Sequence, residues 1–239
     1  VLRFENELIG QFALEDTIVK NRRMKTIIEI CLDSPESAQE AERLGASRVE
    51  LCANLLEGGT TPSAGCIART RAAINIDLFV IIRPRGGNFY YTNSEIEEMK
   101  HNIQLCKELG VDGVVIGLLN TDGSIDLATT KMLVDLARPM KVTFHRAFDR
   151  CKNPLLALEQ LIALGVERIL TSGQMPKALD GIDLIAALIQ QAGDRIIIMP
   201  GSGVNPTNAA EFLKVGATEI HFTAHRYEPA EGCFLHPNF

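Results

Sequence analysis

The chain has 239 residues, a formal net charge of -6 at neutral pH, 46% hydrophobic residues and 23% charged ones. That balance belongs to a globular protein with enough chain for a full core. The acidic surplus argues against a nucleic-acid surface, and no apolar run approaches the roughly 18 residues that cross a bilayer. Six cysteines are scattered without a CxxC pair, and acids interrupt the apolar residues of the opening "VLRFENELIGQFALEDTIVKNRRM". Free thiols and a cytoplasmic address are therefore expected, with no membrane or nucleic-acid partner.

Residues 1–23 are read as an extension, and one domain is expected over 24–239, starting at Met24 before "KTIIEIC". Strands are predicted at 27–31, 48–52, 78–83, 112–117, 141–145, 167–171, 195–200 and 219–223, alternating with amphipathic helical segments. Ser34 with Pro35 marks the first helix start, Ser94 with Glu97 a capping box, and Asn205 before Pro206 the seventh helix. Cys66 and Cys106 fall in helical patterns as small core residues.

One junction recurs, in "AERLGASRVEL", "CKELGVDGVVI", "EQLIALGVERIL" and "FLKVGATEIHF". Each is a helix end, a glycine (Gly45, Gly110, Gly165, Gly216), a short turn and an apolar strand, because glycine supplies the left-handed stop. Repetition of this unit over eight strands predicts an α/β fold, a single-domain (β/α)₈ TIM-type barrel. A doubly wound sheet fits less well, since the first strand is not followed by GxGxxG.

Strand alternation then assigns faces. If Ile28, Ile30, Val49, Leu51, Val142, Phe144, Ile220 and Phe222 meet the helices, Glu29, Glu50, Arg83, His145 and His221 point into the barrel. Cys31 and Cys52 join them one layer nearer the carboxyl end. Burying ionisable groups is costly unless they are paired, so these residues are either a self-satisfied plug or the lining of a ligand site. The carboxyl-end face is where ligands bind in this fold, which favours a site.

Loops on that face add Arg85 in "RPRGGNFYY", Arg146 in "VTFHRAFD", Ser172 and Gly173 in "LTSGQ", and Gly201, Ser202 and Gly203 in "MPGSGVNP". Cations beside glycine-rich turns suit an anion. Arg146 and Asp149 fit a mutual salt bridge equally well. One functional reading is an enzyme on a small anionic or phosphorylated metabolite. There Glu29 or Glu50 exchanges protons with His145 or His221 as partner, while Arg83 and Gly201–Gly203 hold the anion.

"EICLDSPESA", "RVELCANLLEGGTTPS", "IIRPRGGNFYY", "VTFHRAFD", "RILTSGQ", "MPGSGV" and "TEIHFTA" resemble, in order and spacing, the signature segments of the CutC copper-homeostasis family, over about residues 27 to 225. The resemblance implies a TIM-type barrel, cytoplasmic residence, homo-oligomers, and copper binding or trafficking. The family's copper-binding cysteines carry over to Cys31 and Cys52. Soft Cu(I) prefers thiolates and accepts few ligands, and His145 or His221 is available as a third. Asn88 stands where the family usually has Asp, and the chain stops soon after the eighth strand, at "GCFLHPNF". Whether the protein is also an enzyme stays open at this point.

Overall fold

Eight parallel strands alternate with seven helices in the computed structural model, which describes residues 26–223 throughout. It also describes Leu2–Phe4 and His225–Tyr227, paired as a short antiparallel ribbon. The rest of residues 1–23, the expected domain start at Met24, Cys233 and the closing "GCFLHPNF" lie outside the described residues.

The barrel strands are β1 (Ile27–Leu32), β2 (Arg48–Leu51), β3 (Asp77–Ile81), β4 (Gly113–Ile116), β5 (Lys141–Phe144), β6 (Arg168–Thr171), β7 (Ile197–Pro200) and β8 (Glu219–Thr223). Between them run α1 (Pro35–Arg43), α2 (Ala64–Ala73), α3 (Asn93–Glu108), α4 (Leu127–Ala137), α5 (Pro154–Leu164), α6 (Ile182–Ala192) and α7 (Ala209–Lys214). Single 3₁₀ turns follow β2 (Leu55–Glu57) and β5 (Arg146–Arg150). The ladder order is β7-β6-β5-β4-β3-β2-β1-β8. The two end strands lie side by side without a ladder between them, which leaves one seam in an otherwise hydrogen-bonded (β/α)₈ barrel.

The expected faces hold. Ile28, Ile30, Leu32, Val49, Leu51, Val142, Phe144, Ile220 and Phe222 belong to the large apolar core shared with the helices. Inside, a smaller apolar cluster joins Cys31, Cys52, Phe79, Ile81 and Val115. Each fully buried aliphatic or aromatic side chain contributes about 1.5–3 kcal/mol, so the outer layer supplies most of the stability and the lumen is free to carry polar groups.

Element ends follow local chemistry. Ser34 accepts the Ser37 backbone N–H at 3.1 Å, with Pro35 opening α1. All four junction glycines adopt positive φ, from +70° at Gly110 to +104° at Gly216. Two expected caps shift. The capping box of α3 is Thr92 with Glu95, not Ser94 with Glu97, because the extended residue is Thr92. Asn205 holds Thr207 in a turn, and α7 proper begins after Asn208.

Candidate functional site

The amino-terminal half of the lumen is an ionic lattice. Arg48 donates to Glu29 and to Glu219, and its Nη2 also reaches the Met199 sulfur at 3.4 Å. Arg168 donates to both oxygens of Glu219, at 2.5 and 3.1 Å, and to Thr143 Oγ1 at 3.1 Å. Both guanidinium groups stack over the Phe79 ring, at 4.9 and 5.3 Å from its centroid. This part of the lumen is the self-satisfied plug.

Above it stands a relay of ionisable groups set by register. Glu29 is level with Arg48 on β2 and His221 on β8, while Cys31 is level with Glu50. His221 Nδ1 bonds Glu29 Oε1 at 2.7 Å, and its Nε2 lies 3.7 Å from Glu50 Oε2. Cys52 is one rung beyond Glu50, its N–H bonded to Leu32, yet its sulfur sits 3.6 Å from that of Cys31.

The charges of this layer follow from its neighbours. Burial alone would raise the Glu29 carboxyl, but Arg48 and the His221 bond outweigh it and hold it well below the carboxylate range. The Cys52 contact, helped by His221 and opposed by burial, brings the Cys31 thiol down to about 5. Cys52 is pushed up by the same contact and by burial. Burial and the Cys31 charge raise Glu50 well above its ordinary value. His221 is raised despite burial, by Cys31, Glu29 and Glu50. The layer therefore holds a thiolate beside an imidazolium, with a neutral thiol and a neutral carboxyl completing it.

A cavity of about 380 Å³ opens from this layer to the carboxyl-end face. Cys31, Cys52, Glu50 and His221 line it from below, and Arg83 and His145, just past the ends of β3 and β5, line it higher up. His145 Nδ1 accepts the Ala147 N–H at 3.1 Å, which fixes the proton on Nε2. Burial and then Arg83 push the His145 imidazole down to about 3, so it is neutral. Arg83 donates to the carbonyls of Glu57, Gly59 and Gly87 at 2.8–3.1 Å and stacks on Phe89. Gly117 makes room for His145: a Cβ there would stand 2.8 Å from Ala147 Cβ and collide with Cε1 and Nδ1 of the imidazole.

The remaining expected site residues divide. Arg146, Ser202 and Gly203 line the cavity. Glu29 does not; it stands behind His221 and orients it. Arg85 is spent on Glu95 and on its own loop, at Gly86, Asn88 and Tyr90. Ser172 and Gly173 are folded around Asp149 and Thr171, with Arg146 bonded to both Asp149 and Ser172. Gly201 backs onto Leu170 and His221, where a Cβ would lie 3.2 Å from the imidazole Cδ2. Arg48, Arg168 and Glu219 were not foreseen, although they share the inward parity of Glu50 on β2, Leu170 on β6 and His221 on β8.

A metal-sized cluster coincides with the expected cysteines: Cys31, Cys52 and Glu50 each offer a ligand atom, all within 4.8 Å of one another. With metal–sulfur bonds of about 2.3 Å, two sulfurs 3.6 Å apart can share one ion. The third side chain of this trio is the Glu50 carboxyl, and a second trio on the same layer joins Glu29, Glu50 and His221.

Fold and site together define a TIM-type barrel whose lumen closes below on an ion lattice and opens above through paired thiols. The CutC family profile matches residues 26–226, and the chain belongs to the CutC family. It is 52% identical to the copper homeostasis protein cutC homolog of Mus musculus over 199 residues, 83% of this chain and 73% of that protein. It is 55% identical to a CutC family protein of Parabacteroides distasonis, over 84% of each chain. The crystal structure of CutC from Streptococcus agalactiae superposes with a TM-score of 0.79 at 34% identity, covering 82% of this chain and 98% of that one. A phosphoenolpyruvate phosphomutase from Streptomyces platensis, at a TM-score of 0.60, 13% identity and 89% and 79% coverage, shares the barrel fold alone. Among the described residues no helix is long and apolar enough to cross a membrane.

Proposed function

We propose that this chain is a cytoplasmic copper-homeostasis protein that takes up Cu(I) between Cys31 and Cys52, working as a homo-oligomer. The observation that carries this reading is the pair of sulfurs 3.6 Å apart at the floor of an open cavity, where the Cys52 contact lowers the Cys31 thiol and so favours its thiolate. Thiolates select soft Cu(I) over hard cations, and a two-sulfur site with a neutral carboxyl beside it suits an ion content with low coordination better than zinc, which requires four ligands. The names of the mammalian relatives point the same way. His221 and Glu29 act through Cys31: the imidazolium stabilises the thiolate and the carboxylate fixes the imidazolium.

Anaerobic titration with Cu(I) against a chromogenic chelator tests this. Uptake of about one Cu(I) per chain is expected, with loss of that uptake in a Cys31→Ser, Cys52→Ser double variant. Undiminished uptake by the double variant overturns the reading.

A further inference from the structure

The mouth of the cavity carries unused hydrogen-bond donors that a copper site does not need. Arg83 is 4% exposed and His145 5% exposed, and the Nε of one and the Nε2 of the other have no partner. Both residues line the cavity. Buried polar groups are nearly always bonded, so two orphan donors on residues that line one cavity mark a missing acceptor. Arg83 adds a charge argument. Its bonds go only to carbonyls, and among the described residues no carboxylate lies within ion-pair distance of it, whereas Arg48 holds two carboxylates and Arg168 one. A buried cation without a counter-charge costs several kcal/mol.

The turn after β7 lines the same cavity. The backbone N–H groups of Ser202, Gly203 and Val204 have no protein partner among the described residues, and all three residues line the cavity. Ser202 and Gly203 both adopt positive φ, +84° and +72°, and the Ser202 hydroxyl is anchored on the Pro176 carbonyl, 2.8 Å away. The turn is thus held with its amides free, in the position where barrels of this kind receive an oxyanion.

We propose that the cavity mouth is an oxyanion-binding site, in which Arg83, His145 Nε2–H and the amides of Ser202, Gly203 and Val204 hold the carboxylate or phosphoryl group of a small metabolite. The site lies above the thiol pair and does not depend on the copper reading. A cavity of about 380 Å³ accepts a small metabolite and excludes a polymer. The neutral His145 serves as a donor here, and the indispensable positive charge is that of Arg83.

Calorimetric titration of the copper-free, full-length chain in low-chloride buffer tests the proposal, with inorganic phosphate and malonate as probes. At least one probe is expected to bind at one per chain, and the tighter of the two identifies phosphoryl or carboxylate as the preferred group. Arg83→Gln and His145→Asn are each expected to weaken it at least about tenfold, the loss of one charge-assisted or buried bond. Asn at 145 keeps an acceptor for the Ala147 N–H and is a good cap residue, so this variant reads the Nε2 donor even if Arg83→Gln fails to fold. Binding of neither probe to the wild type, or wild-type affinity in His145→Asn, overturns the proposal.

Discussion

His145 is the residue whose environment has the plainest consequence in solution. Its imidazole is held neutral, down to about 3, while in the unfolded chain it titrates near 6.5. Between those values the unfolded state binds a proton that the native state refuses, so stability falls as pH drops from about 6.5 toward 3. Cys31, brought down to about 5, gives a slope of the same sign across this window, so a comparison of two proteins is needed. Urea midpoints between pH 5 and 6.5 are expected to rise more steeply with pH in the wild type than in His145→Asn. Equal slopes would mean that His145 is protonated in the native state.

Much of the lumen was legible from parity alone: Glu29, Glu50, His145 and His221 all point inward as alternation requires. Arg48, Arg168 and Glu219 obey the same parity but escaped, because each opens its strand and has an apolar neighbour on one side only to calibrate the pattern. Arg85 shows the opposite limit. A loop has no period, and whether an arginine in it faces a ligand or its own carbonyls depends on backbone geometry that composition does not encode.

At the scale of elements, the repeated helix-to-strand junction made the barrel readable, since each left-handed glycine reports a turn and each turn a strand. Capping was read less well: an extended Thr92 starts α3 two residues before Ser94, and nothing in the order of two adjacent hydroxyl and carboxyl pairs distinguishes them. Two glycines at one junction separate conformation from space. Gly110 has φ +70° and nothing within 4 Å of an added Cβ, so Gly110→Ala is expected to cost about 1 kcal/mol, through the left-handed backbone alone. Gly113 has ordinary φ, but its added Cβ would stand 2.5 and 2.6 Å from Phe79 Cε2 and Cε1, and overpacking of this kind costs about 1–3 kcal/mol. Equilibrium denaturation of both variants in a Phe79→Leu background checks the distinction. The smaller side chain is expected to relieve Gly113→Ala and to leave Gly110→Ala unchanged.

For the whole molecule, the open question is what closes the barrel where the ladder stops. β7 and β8 share no ladder, so the seam depends on side chains. Glu219, at the start of β8, reaches Arg168 on β6 across β7 and Arg48 on β2 across β1, and Arg48 also touches Met199 on β7. One carboxylate thus ties the seam on both sides, in a setting where burial would otherwise raise it and the two arginines hold it down. Glu219→Gln keeps the shape and removes the charge, leaving the buried Arg168 guanidinium without a counter-ion and Arg48 with Glu29 alone. A loss of about 3–5 kcal/mol is expected. An exposed pair such as Lys131–Asp135 on α4 sets the scale, since deleting it should change stability by no more than about 0.5 kcal/mol. Hydrogen exchange locates the effect: in Glu219→Gln the amides of β7 and β8 should lose protection before those of β3 and β4, which are laddered on both edges. If protection falls uniformly instead, the lattice stabilises the barrel as one unit and the seam is held by the apolar layer outside it.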